Sequence, residues 1–317
     1  MKSIVTGGAG FIGSHLVDSL LKKGHKVVVA DNLSAGKIEN ISHNFKNENF
    51  KFYEENILNF DAIDDIFARE KIKNVFHFVA NSDIKSSFAD SDIDFENTFL
   101  TTYNILKLMK KHSVKNIIFP SSSAIYGNFQ KIIDEDSGPL FPISHYGAAK
   151  LSCEGFISSF VENYGFNAWI IRFPNVVGER ATHGVIHDFI NKLTRNNKKL
   201  AVLGNGNQDK PYLYVKDVVE AICFIRENCC EKLNYINIGV NSTVKVKQIA
   251  DIVAKEMGLC PEITYQEQEA GWVGDVPAFK YKLDKIHKLG WNLEITSSEA
   301  VKKSVRNILE GGTIKCS

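Results

Sequence analysis

Gly7-Gly8-Ala9-Gly10-Phe11-Ile12-Gly13 is the stretch that decides the fold. It follows the β-rich run Lys2–Thr6 and opens a segment, residues 11–23, in which Ile12, Leu16, Val17, Leu20 and Leu21 recur at helical spacing before Gly24 ends it. A turn built from Gly7, Gly10 and Gly13 lets backbone N–H groups approach an anion at the positive end of a helix, and a small last residue lets that helix pack on its strand. Residues 26–31 read as a second strand ending in Asp31, eighteen residues past Gly13. A carboxylate there accepts hydrogen bonds from a ribose hydroxyl and repels a 2′-phosphate, which favours NAD over NADP.

Outward from this unit the alternation continues. Strands are expected at residues 50–53, 74–78, 116–120 and 168–173, with helices at 62–70, 93–112 and 146–163. This order predicts an α/β chain with a Rossmann-type, doubly wound parallel sheet. Past Arg172 the pattern loosens into Gly- and Asn-rich loops with short helices near 185–194, 215–226, 246–257 and 297–310. Residues 1–172 are thus expected to form the dinucleotide domain, with a strand near 234–239 returning to it. Residues 173–317 should mostly form a smaller mixed α/β substrate-binding domain.

Composition narrows the function by exclusion. Lys+Arg 38 against Asp+Glu 37 leaves a net charge of +1 over 317 residues, without the basic excess that nucleic acid demands. No apolar run reaches the roughly 18 residues of a membrane span. The first five residues pass into the glycine run before a leader's apolar core could form, and the six cysteines show no Cys-x-x-Cys pair, which fits free thiols in a reducing cytoplasm. His183 and His187 sit four apart with Asp188 beside them, but without a further ligand or a catalytic Glu no metal is expected.

Tyr146-Gly147-Ala148-Ala149-Lys150 sets a phenol and an ammonium four residues apart on one helix face. A free Tyr titrates near 10, too high for a base at neutral pH, and a neighbouring cation lowers it. Ser121-Ser122-Ser123-Ala124-Ile125-Tyr126-Gly127 follows the apolar run 116–120, whose end faces the cofactor crevice of such a sheet. A hydroxyl there can pass a proton between substrate and Tyr; turn chemistry accounts for Ser121.

With these motifs in place, the chain resembles the extended short-chain dehydrogenase/reductase superfamily, in its NAD-dependent nucleotide-sugar epimerase and dehydratase branch. Further residues carry the resemblance: Asp31-Asn32-Leu33-Ser34, Phe76-His77-Phe78-Val79-Ala80, Asn97, Arg172-Phe173-Pro174-Asn175-Val176-Val177-Gly178, Tyr214-Val215-Lys216-Asp217-Val218 and Gly274-Asp275-Val276-Pro277. The resemblance implies that Ser122 is the proton shuttle, Tyr146 the base, and Lys150 the residue that holds the nicotinamide ribose and depresses the Tyr pKa. It implies NAD contacts from Gly7, Gly10, Phe11, Ile12, Gly13, Asp31, Asn32, Ser34, Asn56, Ile57, Phe78, Val79, Ala80 and Asn97. Substrate contacts would come from Ser122, Ser123, Tyr146, Asn175, Gly184, Val185, Lys210, Tyr212, Asp275 and Phe279. A homodimer through helices 93–112 and 146–163 is implied as well.

The chain departs from the branch at three places: Asn56 replaces a usual Asp at the adenine, Lys210 replaces a frequent Arg, and Trp272 stands where many members carry a diphosphate-binding Arg. Dehydratases of the branch place Asp-Glu after the shuttle; Ser123-Ala124 stands there instead, and neither residue can remove a proton. The resemblance therefore points to epimerisation at carbon 4 of a UDP-hexose, UDP-glucose and UDP-galactose first, with Phe279 walling the sugar pocket. Other sugar nucleotides (a UDP-uronate, a UDP-N-acetylhexosamine, a CDP- or dTDP-sugar), a reductase or dehydrogenase, and a non-catalytic NAD-binding regulator stay open.

Overall fold

A computed structural model describes residues 2–128, 132–268 and 276–311. Its centre is a seven-stranded sheet of β1 (Lys2–Thr6), β2 (Lys26–Asp31), β3 (Phe50–Glu54), β4 (Asn74–His77), β5 (Asn116–Ser122), β6 (Asn167–Phe173) and β7 (Leu233–Asn237), in the order β7-β6-β5-β4-β1-β2-β3. β1 pairs in parallel with β2 and β4, β2 with β3, and β4 with β5; Val5 lies opposite Val29 and Phe76. The order reverses direction at β1/β4, where an open α/β sheet leaves a crevice at the carboxyl ends of its strands.

The helices follow from spacing and caps. Helix α1 (Phe11–Lys22) ends at Gly24, whose φ of 77° is the left-handed conformation that glycine adopts without strain. Helix α2 (Phe60–Glu70) is capped by Asn59, whose side chain accepts from the N–H of Ala62. Helix α3 (Thr101–Lys111) continues a short turn, Asp92–Asp94, through a π-helical stretch, Phe95–Leu100, so the expected single helix carries a wide turn. Helix α4 (His145–Tyr164) starts at Ser144, whose hydroxyl accepts from Gly147 N–H, and stops at Gly165 in the left-handed region.

Ile4, Val28, Val75, Ile117 and Phe119 from the sheet share one core with Ile63, Ile66 and Phe67 of α2, Ile105, Leu106 and Met109 of α3, and Cys153, Ile157 and Val161 of α4. The alternate residues Val5, Val27 and Val29 are equally buried. Strand side chains alternate between faces, so burial of both sets means cover on both sides, the doubly wound arrangement.

By contacts the chain divides into two compact units, each discontinuous in sequence. The first joins Met1–Ile125, Ser144–Arg172 and Val219–Ile236; the second joins Tyr126–Ile143, Phe173–Val218 and Asn237–Ser317. Residues 126–143 fall in the second unit, while residues 219–236, with most of the strand expected to return near 234–239, fall in the first. The second unit is mixed α/β, with helices Val185–Arg195, Val246–Glu256 and Ser297–Glu310 and short strand pairs such as Asn175–Val177 with Tyr212–Tyr214.

Candidate active site

The glycine loop is shaped by backbone crowding. Gly7 has φ 70°, and a Cβ there would lie 2.8 Å from the carbonyl carbon of Phe78 and the nitrogen of Val79. A Cβ on Gly13 would collide with the carbonyl oxygen of Gly7. Gly10, the N-cap of α1, is extended and supplies no side-chain cap, so no side chain of the cap competes for the first amides of the helix. The loop is tied to the segment after β2. Ala9 N–H donates to Asp31 Oδ2 (2.9 Å), Leu33 N–H to Asp31 Oδ1 (2.9 Å), and both Lys37 N–H and Asn40 Nδ2 to the Ala9 carbonyl.

Asp31 is buried, which raises its pKa; the N–H groups of Leu33, Ala9 and Gly10 oppose that. A carboxylate offers about four acceptor sites, so these backbone donors leave it room for a further one. Asn32 Oδ1 accepts from the Ser34 N–H and hydroxyl, and Asn56 Oδ1 from Leu58 N–H. Ile57 is buried, Phe78, Val79 and Ala80 are half-buried beside the loop, and Asn97 is an exposed member of the π-helical stretch, its Nδ2 bound to Ile93 O.

The residues expected to handle protons lie at the end of β5 and on the first turns of α4. Lys150 Nζ donates to the Pro120 carbonyl (2.7 Å) and lies 5.9 Å from the Tyr146 ring centroid. Burial pulls the Lys150 pKa down to about 8. Burial pushes the Tyr146 phenol up to about 12, a hydrogen bond from Ser122 lowers it, and the charge of Asp94 raises it. In the chain alone, then, desolvation dominates, and the depression expected from Lys150 is not seen. Ser122 Oγ also accepts from Ala124 N–H (3.2 Å), and Ser123 opens the short 3-10 turn that follows. Beneath them His77 bridges Thr6 Oγ1 (2.7 Å) and Thr102 Oγ1 (3.0 Å); burial, with the Lys150 charge, holds its pKa near 3, so it is neutral.

The expectation for Ser121 fails. It is no turn residue but the penultimate residue of β5, 1% exposed, and its hydroxyl donates to Glu154.

In the second unit, Asn175 stands opposite Tyr212, and its Nδ2 is buried without a hydrogen-bond partner among the described residues. Lys210 lies in a two-residue strand paired with Val244–Lys245. Gly184, at φ 102°, begins the helix that Val185 opens, again without a side-chain cap. Tyr212 is buried, its N–H donating to Ser297 Oγ. Phe279 is 8% exposed and packs edge-on against Tyr281, 5.4 Å between ring centroids. Trp272, Gly274 and Asp275 lie outside the described residues.

With this geometry established, a family model for NAD-dependent epimerases and dehydratases matches residues 3–239. The chain belongs to the NAD-dependent epimerase/dehydratase family. It is 33% identical to a putative UDP-glucose 4-epimerase of Methanocaldococcus jannaschii over 95% of this chain and 96% of that one. It is 31% identical to the human dTDP-D-glucose 4,6-dehydratase, over 95% and 88%. A crystal structure of a UDP-galactose 4-epimerase superposes with a TM-score of 0.88 at 38% identity, covering 98% of this chain and all of that one.

Family members use NAD, and the loop of this member fits it: a glycine N-cap that leaves the helix amides to an anion, and a buried carboxylate with an acceptor site to spare. Asp94 and Glu154 near the site escaped the sequence reading, and Arg172 entered it only as part of a motif. Asp94 is buried and faces Tyr146 electrostatically, while Glu154 and Arg172 form a buried ion pair (2.6 Å). Glu154 had one available signal, its place one turn past Lys150 on the face of Tyr146.

Proposed function

We propose that this family member inverts carbon 4 of a UDP-hexose, interconverting UDP-glucose and UDP-galactose with NAD retained on the protein. The observation that carries this reading is a proton-handling set, Ser122, Tyr146 and Lys150, followed by Ser123-Ala124, which offer no acid or base to expel water. Bound NAD would supply the hydride acceptor and donor for carbon 4, the hydride returning to the opposite face of the sugar. Tyr146 accepts the carbon-4 hydroxyl proton, directly or through the Ser122 hydroxyl, and returns it when the keto sugar is reduced. With its phenol at about 12 in the chain alone, Tyr146 needs positive charge nearby to act at neutral pH; Lys150, and the cationic nicotinamide ring of the family's cofactor, supply it. The keto sugar must turn while its nucleotide stays fixed, so binding energy has to reside in the diphosphate and base. The orphan amide of Asn175 and the ammonium of Lys210 support a diphosphate site in the second unit.

A homodimer and a cytoplasmic location are part of the same proposal. Phe95 and Phe156, 54% and 41% exposed, supply an apolar face to the two helical stretches expected at a dimer contact. The buried cysteines Cys153 and Cys223 are thiols rather than disulfides, which suits a reducing compartment.

Incubation with UDP-, GDP-, CDP- and dTDP-sugars, followed by chromatography and mass spectrometry, tests the reading. UDP-galactose converted to an isomer of equal mass with no net NADH absorbance is expected. Loss of one water, or stoichiometric NADH, rejects epimerisation in favour of dehydration or net oxidation.

A further inference from the structure

Three consecutive residues at the end of β5 meet three residues spaced one turn apart on α4. The Pro120 carbonyl accepts from Lys150, the Ser121 hydroxyl donates to Glu154 Oε1 (2.5 Å), and the Ser122 hydroxyl acts on the Tyr146 phenol, lowering its pKa. The outer two contacts belong to the proton-handling set; the middle one has no place in the reaction. Glu154 is gripped from β6 by Arg172, Nε to Oε1 at 3.0 Å and Nη2 to Oε2 at 2.6 Å. The guanidinium itself lies 5.4 Å from the ring centroid of Tyr235 in β7. Ser121, Glu154 and Arg172 are 1%, 6% and 7% exposed.

A buried ion pair is a poor source of stability, because desolvating both charges offsets most of their attraction; a well-packed apolar pair often serves as well. Its distinctive contribution is direction. The planar guanidinium fork accepts a carboxylate in few orientations, and the carboxylate so held presents a fixed acceptor to Ser121. Proton transfer between neighbouring hydroxyls tolerates little displacement.

We propose that Ser121, Glu154 and Arg172 form a positioning device that holds β5 against α4 so that the Ser122 hydroxyl stays within hydrogen-bond reach of the Tyr146 phenol. The inference rests on Tyr146 as the proton acceptor of the proposed reaction. Besides burial, the groups acting on that phenol are Ser122, which lowers its pKa, and Asp94, which raises it; Lys150 lies 5.9 Å from its ring centroid, and Cys153, Asp94 and Glu154 in turn favour the charged form of Lys150. Displacing Ser122 therefore weakens the phenolate.

The test is an ultraviolet difference titration of the full-length protein loaded with NAD, with Tyr146→Phe subtracted to isolate the Tyr146 signal. Ser121→Ala severs one hydrogen bond and leaves the ion pair intact. Its titration midpoint is expected to rise by about one unit, tenfold less phenolate at any lower pH, and Ser121→Thr restores it. Turnover of Ser121→Ala falls about tenfold with KM unchanged, as for a group felt only in the transition state. Glu154→Asp, which keeps the charge and shortens the reach, shifts the midpoint in the same direction. A melting point lowered with the midpoint unmoved in both variants overturns the proposal and leaves these residues a purely structural role. The titration reads out whether or not an epimer forms, so a wild-type protein without epimerase activity rejects the proposed reaction and not the positioning.

Discussion

The Lys150 ammonium lies 2.7 Å from the carbonyl oxygen of Pro120, at the strand end that carries Ser122. The bond holds a buried cation beside Tyr146, and burial lowers its pKa to about 8.

Lys150→Met tests this cation in two ways. Losing the charge that assists the phenolate should lower kcat by roughly 10²–10³, measured with UDP-galactose. Stability moves differently. The folded chain releases the Lys150 proton near 8 and the unfolded chain near 10.5, so between these values the unfolded state binds more protons and stability rises with pH. Urea midpoints at pH 8 and 10 should show a rise in the cofactor-free wild type that Lys150→Met lacks.

Tyr146→Phe should lose about 10²–10⁴-fold in kcat while melting within a few degrees of wild type, because the ring stays. In the cofactor-free protein the phenol, at about 12, should remain protonated through pH 10. A phenolate signal assignable to Tyr146 below pH 9 without NAD contradicts the burial argument.

Gly13→Ala should damage the cofactor site and the fold together. The added methyl meets the Gly7 carbonyl oxygen, and neither backbone can yield without moving α1 on β1. A stability loss of about 1–3 kcal/mol is expected by denaturant unfolding, together with purification free of bound NAD. A variant that retains NAD at full occupancy refutes this reading of the loop.

Glu70 ties β1, β3 and α2 together. Burial disfavours its charge, but hydrogen bonds from Lys51, Tyr53 and Lys2 outweigh burial and bring the pKa down to about 2. Its folded pKa lies below the ordinary 4.5, so its contribution is complete above that value and is lost as pH falls toward 2. Glu70→Gln should cost on the order of 2 kcal/mol at pH 7 and little at pH 2.5, seen as a flatter acid limb of stability against pH.

The elements legible in the sequence are those whose cause is local. Residues 7–13 carry their turn, their helix start and their close approach in the absence of bulk, and a strand of Val27, Val28 and Val29 needs no context to be read. The helix 297–310 was readable to its ends because Thr296 and Glu299 form a reciprocal cap within one turn. What escaped was set at long range. Ser121 looks like its neighbours in a serine run; it is interior because its strand lies inside the sheet, where its hydroxyl meets Glu154, 33 residues on, itself paired with Arg172. Residues 126–143 group with the second unit through contacts such as Tyr126 Oη to Asn237 Oδ1, 111 residues apart, which no local pattern announces.

The sequence by itself determined the doubly wound sheet, the NAD-type loop and the placing of Ser122 at a strand end with Tyr146 and Lys150 on one helix face, because each rests on spacing within a turn or at a strand end. Tertiary structure alone decided their chemical state. Burial raises Tyr146 and lowers Lys150 and His77, and the Ser121–Glu154–Arg172 contact joins three elements. Desolvation and charge act through space, and they depend on which distant residues the folded chain brings together.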